Sequence, residues 1–276
     1  MAAKRVLRII GSMEWEVPTI RMIVAEALGN VDEILVLEHN YSHSGIERTY
    51  VLEESLMDLT GNRDGTLVSY IQVDLQDAII RSAITSRDMH VNERLMRGSF
   101  ERFTEIKDDD IVFCVDADEV IYRNSFKLLE NRVRRDPFRR VWAIPMHQLY
   151  YRPDYLWTDC DFASAVVGRA SSLRSKVNPW RDSRWKARGV HGCHFSWQLT
   201  VEQMLIKLQM YAHSLDFRHL ASVPILEDAV KSRKYPFDPE RDFTIQKLDE
   251  RDMETILPES WALERHGLDH LLEDQQ

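Results

Sequence analysis

Short apolar runs alternate with amphipathic stretches along the first half of the chain. Val6-Leu7-Arg8-Ile9-Ile10 predicts a strand. From Val17 to Leu28, Ile20, Ile23, Val24, Ala27 and Leu28 fall on one face at helical spacing. Pro18 suits the first turn of that helix and Gly29 its end. Ile34-Leu35-Val36-Leu37 is apolar throughout, as a strand buried on both faces of a parallel sheet must be, and Leu67 to Val73 predicts another strand. A helix is expected over about Asp88 to Ile106, carrying Val91, Leu95, Phe100, Phe103 and Ile106. After the polar turn Lys107-Asp108-Asp109-Asp110, the run Ile111-Val112-Phe113-Cys114-Val115 predicts a central strand. Asp116-Ala117-Asp118-Glu119 then sits at its carboxyl end. This alternation predicts an α/β fold with a mostly parallel central sheet flanked by helices. Ligands of such sheets bind beyond the carboxyl ends of the strands, where the acidic cluster lies.

The second half reads differently. Val141 to Tyr151 predicts a strand leading into an aromatic loop with Tyr150, Tyr151, Tyr155 and Trp157. Gly189 to Trp197 predicts a turn and strand rich in histidine. Thr200 opens a helix, with Gln203 at capping-box spacing and Val201, Met204, Leu205, Leu208, Tyr211 and Ala212 on its inner face. Beyond Asp238 the chain is charged, which predicts loose packing. No compositional break marks a linker. The expectation is therefore one domain over residues 1–245, with a nucleotide-sugar half (about 1–125) and an acceptor half (126–245), followed by a charged tail over 246–276.

A chain of 276 residues is long enough to bury the core such a domain needs. Its net charge of −9 argues against non-specific nucleic-acid binding, which needs a basic face. One stretch runs against that balance: Arg169, Arg174, Lys176, Arg181, Arg184, Lys186 and Arg188, interleaved with Trp180 and Trp185, form a basic island. The cysteines, Cys114, Cys160 and Cys193, form neither a disulfide framework nor a CxxC metal motif. No apolar run is long enough to span a bilayer, and Val6–Ile10 is too short for the core of a signal peptide. A cytoplasmic, soluble protein is expected.

Several constellations carry candidate chemistry. Asp116 and Asp118, at i and i+2 after a buried strand, can face one divalent cation, because hard cations take oxygen ligands and keep sites open for phosphate. The bland alternative is that either aspartate caps a following helix. In Gly189-Val190-His191-Gly192-Cys193-His194 the imidazoles are candidates for metal or phosphate binding, or simply structural; His213 is a third. Glu38, with His39 and Asn40, follows a buried strand and is placed to meet a ribose or base, or to form a polar loop. Arg94 is a candidate for a diphosphate; Glu93 and Arg97, at i and i+4, read as a solvated ion pair. Asp159 and Asp161, beside Trp157, are candidates for the base that takes a proton from a sugar acceptor, against a plain acidic surface loop.

Taken in order, these segments resemble glycosyltransferase family 17, the family of the bisecting β-1,4-mannosyl-glycoprotein N-acetylglucosaminyltransferase. The likeness runs over roughly residues 10–245. It rests on Glu14-Trp15-Glu16 with Arg21; on Val31 to Glu38 with Asn40, Tyr41 and Gly45; and on Asn92-Glu93-Arg94 with Gly98. Asp108-Asp109-Asp110, Asp116-Ala117-Asp118-Glu119, Tyr150-Tyr151, Trp157, Cys193-His194-Phe195-Ser196 and Lys207 to His213 complete it. The resemblance implies a GT-A fold, a nucleotide-sugar donor (a UDP-sugar first, with N-acetylglucosamine as the sugar), a glycan or other hydroxyl acceptor, and inversion at the anomeric carbon. It implies Mn2+ or Mg2+ held by Asp116 and Asp118 with His194, and a donor site including Glu38, Arg94, Asp116 and Glu119. Asp161, then Asp159, is the expected base. Animal members carry a membrane anchor, and Cys193 stands where the family has tryptophan. Three other readings stay open: a transferase acting on hydroxylated bases of phage-type DNA, a metal-dependent phosphohydrolase, and a non-catalytic sugar-binding protein.

Overall fold

The computed structural model describes residues 3–268 apart from 77, 82–84, 161, 162, 177, 212 and 239. The first half gives β1 (Arg5–Gly11), α1 (Val17–Ala27), β2 (Glu33–His39), α2 (Glu53–Leu56), β3 (Gly61–Arg63), β4 (Thr66–Val73), α3 (Ser86–Gly98), β5 (Ile111–Asp116) and β6 (Glu119–Ile121). Then come α4 (Ser125–Arg135), β7 (Trp142–Ala143), β8 (His147–Tyr150), β9 (Tyr155–Trp157), β10 (Val166–Arg169), α5 (Ala170–Arg174), β11 (Trp185–Lys186) and β12 (Gly192–Ser196). The chain closes with α6 (Val201–Met210), α7 (Val223–Ser232), β13 (Ile245–Lys247), α8 (Glu250–Ile256) and α9 (Trp261–Glu264).

The α/β architecture agrees with the sequence, but the central sheet is mixed rather than mostly parallel. Its order is β11-β7-β10-β5-β1-β2-β4-β3. Only the middle, β5, β1, β2 and β4, is the parallel unit that the strand–helix alternation predicts. Once β5 is laid down, β10 returns beside it antiparallel, and β3 forms an antiparallel hairpin with β4. Neither pairing needs a helical crossover, so neither shows in the helix–strand rhythm.

The parallel strands are covered on both faces, which explains their unbroken apolar runs. Ile20, Ile23, Val24 and Ala27 of α1 and Phe126, Leu129 and Val133 of α4 pack with Leu7, Ile9, Ile34, Phe113 and Val115. On the other face Met96 and Phe100 pack with Val6, Leu35, Leu37, Val112 and Cys114. Thr85 caps α3 through a reciprocal box with Asp88. The helix stops at Gly98 instead of running to Ile106; a short 3-10 turn, Ser99–Arg102, follows.

The chain leaves this sheet after β5. Ala117 and Asp118 make the turn into β6, which joins a second sheet of order β13-β9-β8-β12-β6. Antiparallel pairing of β12 with β6 sets His194 opposite Glu119, and the Phe195 N–H donates to the Asp118 carbonyl at 2.8 Å. The second sheet carries its own aromatic core of Tyr150, Tyr151, Trp157 and Trp197, closed by α6, α7 and Phe243. Thr200 and Gln203 form the expected capping box at the start of α6. The charged segment beyond 245 is held more firmly than its charge predicts. β13 extends the second sheet, and Leu248, Leu257 and Leu268 are buried in the main core. Among the described residues no helix is long and apolar enough to cross a membrane.

Candidate active site

The acidic turn forms the floor of a cavity of about 310 Å3 at the carboxyl ends of β1, β2 and β5. Ser12, Met13, Trp15 and Glu16 line it after β1; Tyr41, Ser42 and His43 after β2; Glu93, Met96 and Arg97 from α3. Arg181 enters from the loop between α5 and β11, and Lys207 and Met210 enter from α6. Strands that end together thus deliver side chains from distant parts of the chain to one place.

Each acid in the cavity has a distinct environment. Asp116 accepts from Arg97 Nη1 at 3.2 Å and Nη2 at 3.1 Å, and from Arg181 Nη1 at 2.8 Å. Burial opposes its charge, but Arg181, Arg97 and the fully buried Arg8 outweigh it and hold the carboxyl well below the usual range. Asp118 Oδ2 faces Lys207 Nζ at 3.4 Å and His194 Nε2 at 3.6 Å. Burial again opposes its charge, and the two cations depress its pKa. In turn Asp118 raises the pKa of His194 against burial, and His194 Nδ1 lies 2.7 Å from Gln148 Oε1.

Glu119 is buried and turned the other way. It takes the Asp116 N–H at 2.9 Å, the Ser164 hydroxyl and Arg181 at 3.5 Å, while burial raises its pKa. Glu93 contacts Arg97 at 2.9 Å and His90 at 3.0 Å; Arg97 and His43 overcome its burial and bring it to about 2. Burial carries Glu16 the opposite way, to about 7, against Lys207 and the N–H groups of Ser12 and Met13.

Candidate donor atoms on Asp118, Glu119 and His194 lie within 4.8 Å of one another. Two carboxylates and an imidazole suit Mn2+ or Mg2+ in chemistry, so the residues present fit a divalent cation. Asp116 does not stand in this group; its carboxylate is turned to Arg97 and Arg181.

The sequence profile of glycosyltransferase family 17 matches residues 2–231. The chain belongs to glycosyltransferase family 17. No curated protein matches it. Among solved structures, it is similar to the apo form of the glycosyltransferase GlyE of Streptococcus pneumoniae, at 13% identity and a TM-score of 0.32, over 75% of this chain and 39% of that one. It is also similar to the bifunctional glycosyltransferase WbbM, at 18% identity and a TM-score of 0.31, over 52% of this chain and 23% of that one. A third likeness is to the 4-diphosphocytidyl-2C-methyl-D-erythritol synthase of Anaerococcus prevotii, at 11% identity and a TM-score of 0.35, over 68% of this chain and 80% of that one. The family 17 chain thus spans well under half the length of the first two.

Within this family 17 chain the structure brings together Asp116, Asp118, Glu119 and His194, and places Glu38, Arg94 and Asp159 elsewhere. Glu38 is fully buried below the cavity and accepts from Val51 N at 2.7 Å, Leu52 N at 3.0 Å and the Tyr70 hydroxyl at 2.5 Å. Its carboxylate ties the segment after β2 to β4. Arg94 faces a different depression, with Leu95, Arg102, Arg174 and Trp180. Arg97, three residues on, points into the cavity: the pair with Glu93 is real but largely buried, not solvated. Asp159 is exposed and holds Thr244 through its N–H at 3.2 Å and hydroxyl at 2.9 Å. Asp161 lies outside the described residues. His213 lines the cavity at its rim and pairs with Asp216, while His191 is buried against Ser125 and the Arg188 carbonyl.

The basic island does not make one face. Trp180 is buried edge-on against Phe100, Arg174 pairs with Glu101 and Asp108, Arg169 with Asp109, and Arg181 turns inward to Asp116. The site residues not anticipated from sequence are Arg97, Arg181, Lys207 and Glu16. The segments that carry Lys207 and Glu16 are part of the family likeness. Arg97 has a local signal in its i,i+4 spacing from Glu93. Nothing local marks Arg181 apart from its neighbours in the island.

Proposed function

We propose that this family 17 transferase moves a sugar from a nucleotide-diphosphate donor to a carbohydrate hydroxyl, with inversion and with a divalent cation at Asp118. The observation that carries this reading is the composition of the cavity. Asp118 lines it beside Lys207 and Arg181, which suit a diphosphate; His194 and Glu119, behind Asp118 and outside the lining, complete a set that suits a cation, and Trp15 and Tyr211 add ring surface for a nucleoside. A phosphohydrolase would share the acidic cluster, but the aromatic walls favour a donor with a base and a sugar.

In this reading Asp118 and His194 hold the cation, with Glu119 behind them. Bound there, a divalent cation would supply neutralising charge to the diphosphate leaving group. Lys207 adds a further positive charge beside Asp118. Arg97 and Arg181 fix Asp116 as an acceptor at the cavity floor, oriented for a donor hydroxyl. The half around residues 1–125 takes the donor and the half from 126 to 245 the acceptor. UDP-N-acetylglucosamine is the first donor to try, and a glycan the first acceptor.

The test is a thermal-shift screen of nucleotide sugars with and without Mn2+, since a ligand bound only by the folded state raises the melting temperature. The expected result is a shift by one UDP-sugar that needs the metal. A metal-dependent shift with simple phosphate esters and none with any nucleotide sugar would overturn the reading in favour of a phosphohydrolase.

A further inference from the structure

Asp118 stands between the main cavity and a small recess walled by Phe195, Trp197, Gln198 and Leu199. Trp15, Glu16, Asp118 and Lys207 line both openings and form the partition between them. The recess, of about 20 Å3, holds no more than a water, so a substrate meets this partition from the main cavity.

The carboxylates at the partition and around it are not equivalent. Asp116 is clamped by Arg97 and Arg181, Glu93 by Arg97 and His90, and Asp118 faces Lys207 and His194. Among the described residues Glu16 is the cavity carboxylate without an ion pair. Its hydrogen bonds are to one oxygen only: Oε2 accepts from the N–H groups of Ser12 at 2.6 Å and Met13 at 3.0 Å. Those bonds fix the carboxylate by its far oxygen and leave Oε1 to take a proton. Beside it, the half-buried Trp15 lines the main cavity and offers ring surface of the kind on which the apolar face of a sugar packs.

Resting on the transferase reading above, we propose that Glu16 is the base of the reaction and that a carbohydrate acceptor reaches it in the main cavity, beside Trp15. The acceptor hydroxyl gives its proton to Glu16 Oε1 as its oxygen bonds to the anomeric carbon. The bond from that carbon to the diphosphate oxygen breaks, and its electron pair leaves with the nucleoside diphosphate. Glu16 then returns the proton to water. Asp159 is exposed, holds Thr244 and is not among the residues that line the cavity.

The test uses Glu16→Gln, which keeps the side chain's shape and an oxygen for the Ser12 and Met13 N–H groups. Donor binding is read by thermal shift with UDP-N-acetylglucosamine and the other UDP-sugars in Mn2+. Turnover is read as UDP release, first with water and then with a mixture of oligosaccharides as acceptor. The expected result is unchanged donor binding and turnover lower by about 100-fold, the size of a lost general base. Glu16→Asp, which keeps the charge but shortens the cap, should turn over faster than Glu16→Gln. Turnover of Glu16→Gln within about threefold of wild type, judged against the general-base magnitude, would overturn the proposal. So would loss of donor binding in Glu16→Gln, or Glu16→Asp no faster than Glu16→Gln. A wild-type protein that binds no UDP-sugar, or binds one and never releases UDP, would sink the transferase reading itself, and the base with it.

Discussion

Arg97 donates to both carboxylate oxygens of Asp116, at 3.2 and 3.1 Å, while the same Nη2 reaches Glu93 Oε1 at 2.9 Å. One guanidinium therefore couples α3 to the end of β5. It divides the labour within the acidic motif. Asp116, gripped by Arg97 and Arg181, is a fixed anchor at the cavity floor. Asp118 is turned instead to Lys207 and His194, and is the carboxylate that the proposed function assigns to a cation.

This coupling predicts unequal costs for removing the two arginines. The Arg97 side chain is 3% exposed, so Arg97→Met leaves two acids without their buried partner, at a cost of about 3 kcal/mol or more. Arg181 is 21% exposed, Asp116 keeps Arg97 without it, and its contact with the buried Glu119 is the longer one at 3.5 Å, so Arg181→Met should cost less than Arg97→Met. Urea unfolding of both variants checks the order. Equal losses would show that Asp116 is not shared in the way the geometry indicates.

Burial sets a second expectation, in pH. His39 is 2% exposed and faces the Ser99 hydroxyl at 2.9 Å, and burial lowers its pKa to about 3. The unfolded chain binds the proton near pH 6.5, so below that pH proton binding stabilises the unfolded state and not the folded one. Stability from this group is full above about pH 6.5 and falls steadily towards pH 3, reaching a loss of about 2 kcal/mol by pH 5. Unfolding free energy measured at pH 7 and pH 5 for wild type and His39→Asn should show the slope in the wild type reduced by that amount in the variant.

The parallel unit was legible in the sequence because its signal is local. Val6–Ile10, Ile34–Leu37 and Ile111–Val115 are apolar throughout since helices cover both faces of the sheet, and the acidic turn follows at the strand end where a ligand is expected. What the sequence does not carry is pairing at long range. β10 returns antiparallel to β5, and β12 pairs with β6, through contacts between residues far apart in the chain. Only that second pairing sets His194 beside Asp118. Helical phase had the same effect on a smaller scale: Arg94 and Arg97 are three residues apart, and only Arg97 turns into the cavity. Glu38 shows the reverse case. A carboxylate at the end of a buried strand reads as a ligand for substrate, yet the backbone N–H groups of Val51 and Leu52 claim it.

That accounting makes Glu38 a stability residue. Glu38→Ala would strand two backbone donors and the Tyr70 hydroxyl around a side chain of 0% exposure. Each unsatisfied buried group costs about 1–3 kcal/mol, so a loss of about 3 kcal/mol or more is expected. Donor affinity of the folded fraction, read by titration calorimetry, should stay within about twofold, since the carboxylate makes no cavity contact that about 0.4 kcal/mol would register. A large drop in affinity with little change in stability would return Glu38 to the donor site.

Gly192 tests how His194 is delivered. It pairs with Ile121 across β12 and β6, two residues before His194 meets Glu119. A methyl group there would run into the carbonyl oxygen of Val120 and lie 3.1 Å from the Cα of Ile121. Both are backbone atoms of a buried strand, so no side chain can swing aside to make room. The two strands must part instead, which costs about 1–3 kcal/mol by the usual measure of overpacking. Parting them also draws His194 from Asp118, so Gly192→Ala should lose stability and Mn2+ response together. His194→Ala removes the imidazole alone and leaves the strands paired, so it should lose the Mn2+ response with much less loss of stability. Melting temperatures of the three proteins with and without Mn2+ separate the two effects. A full Mn2+ shift in His194→Ala would show that the imidazole is not a ligand, however well β12 presents it.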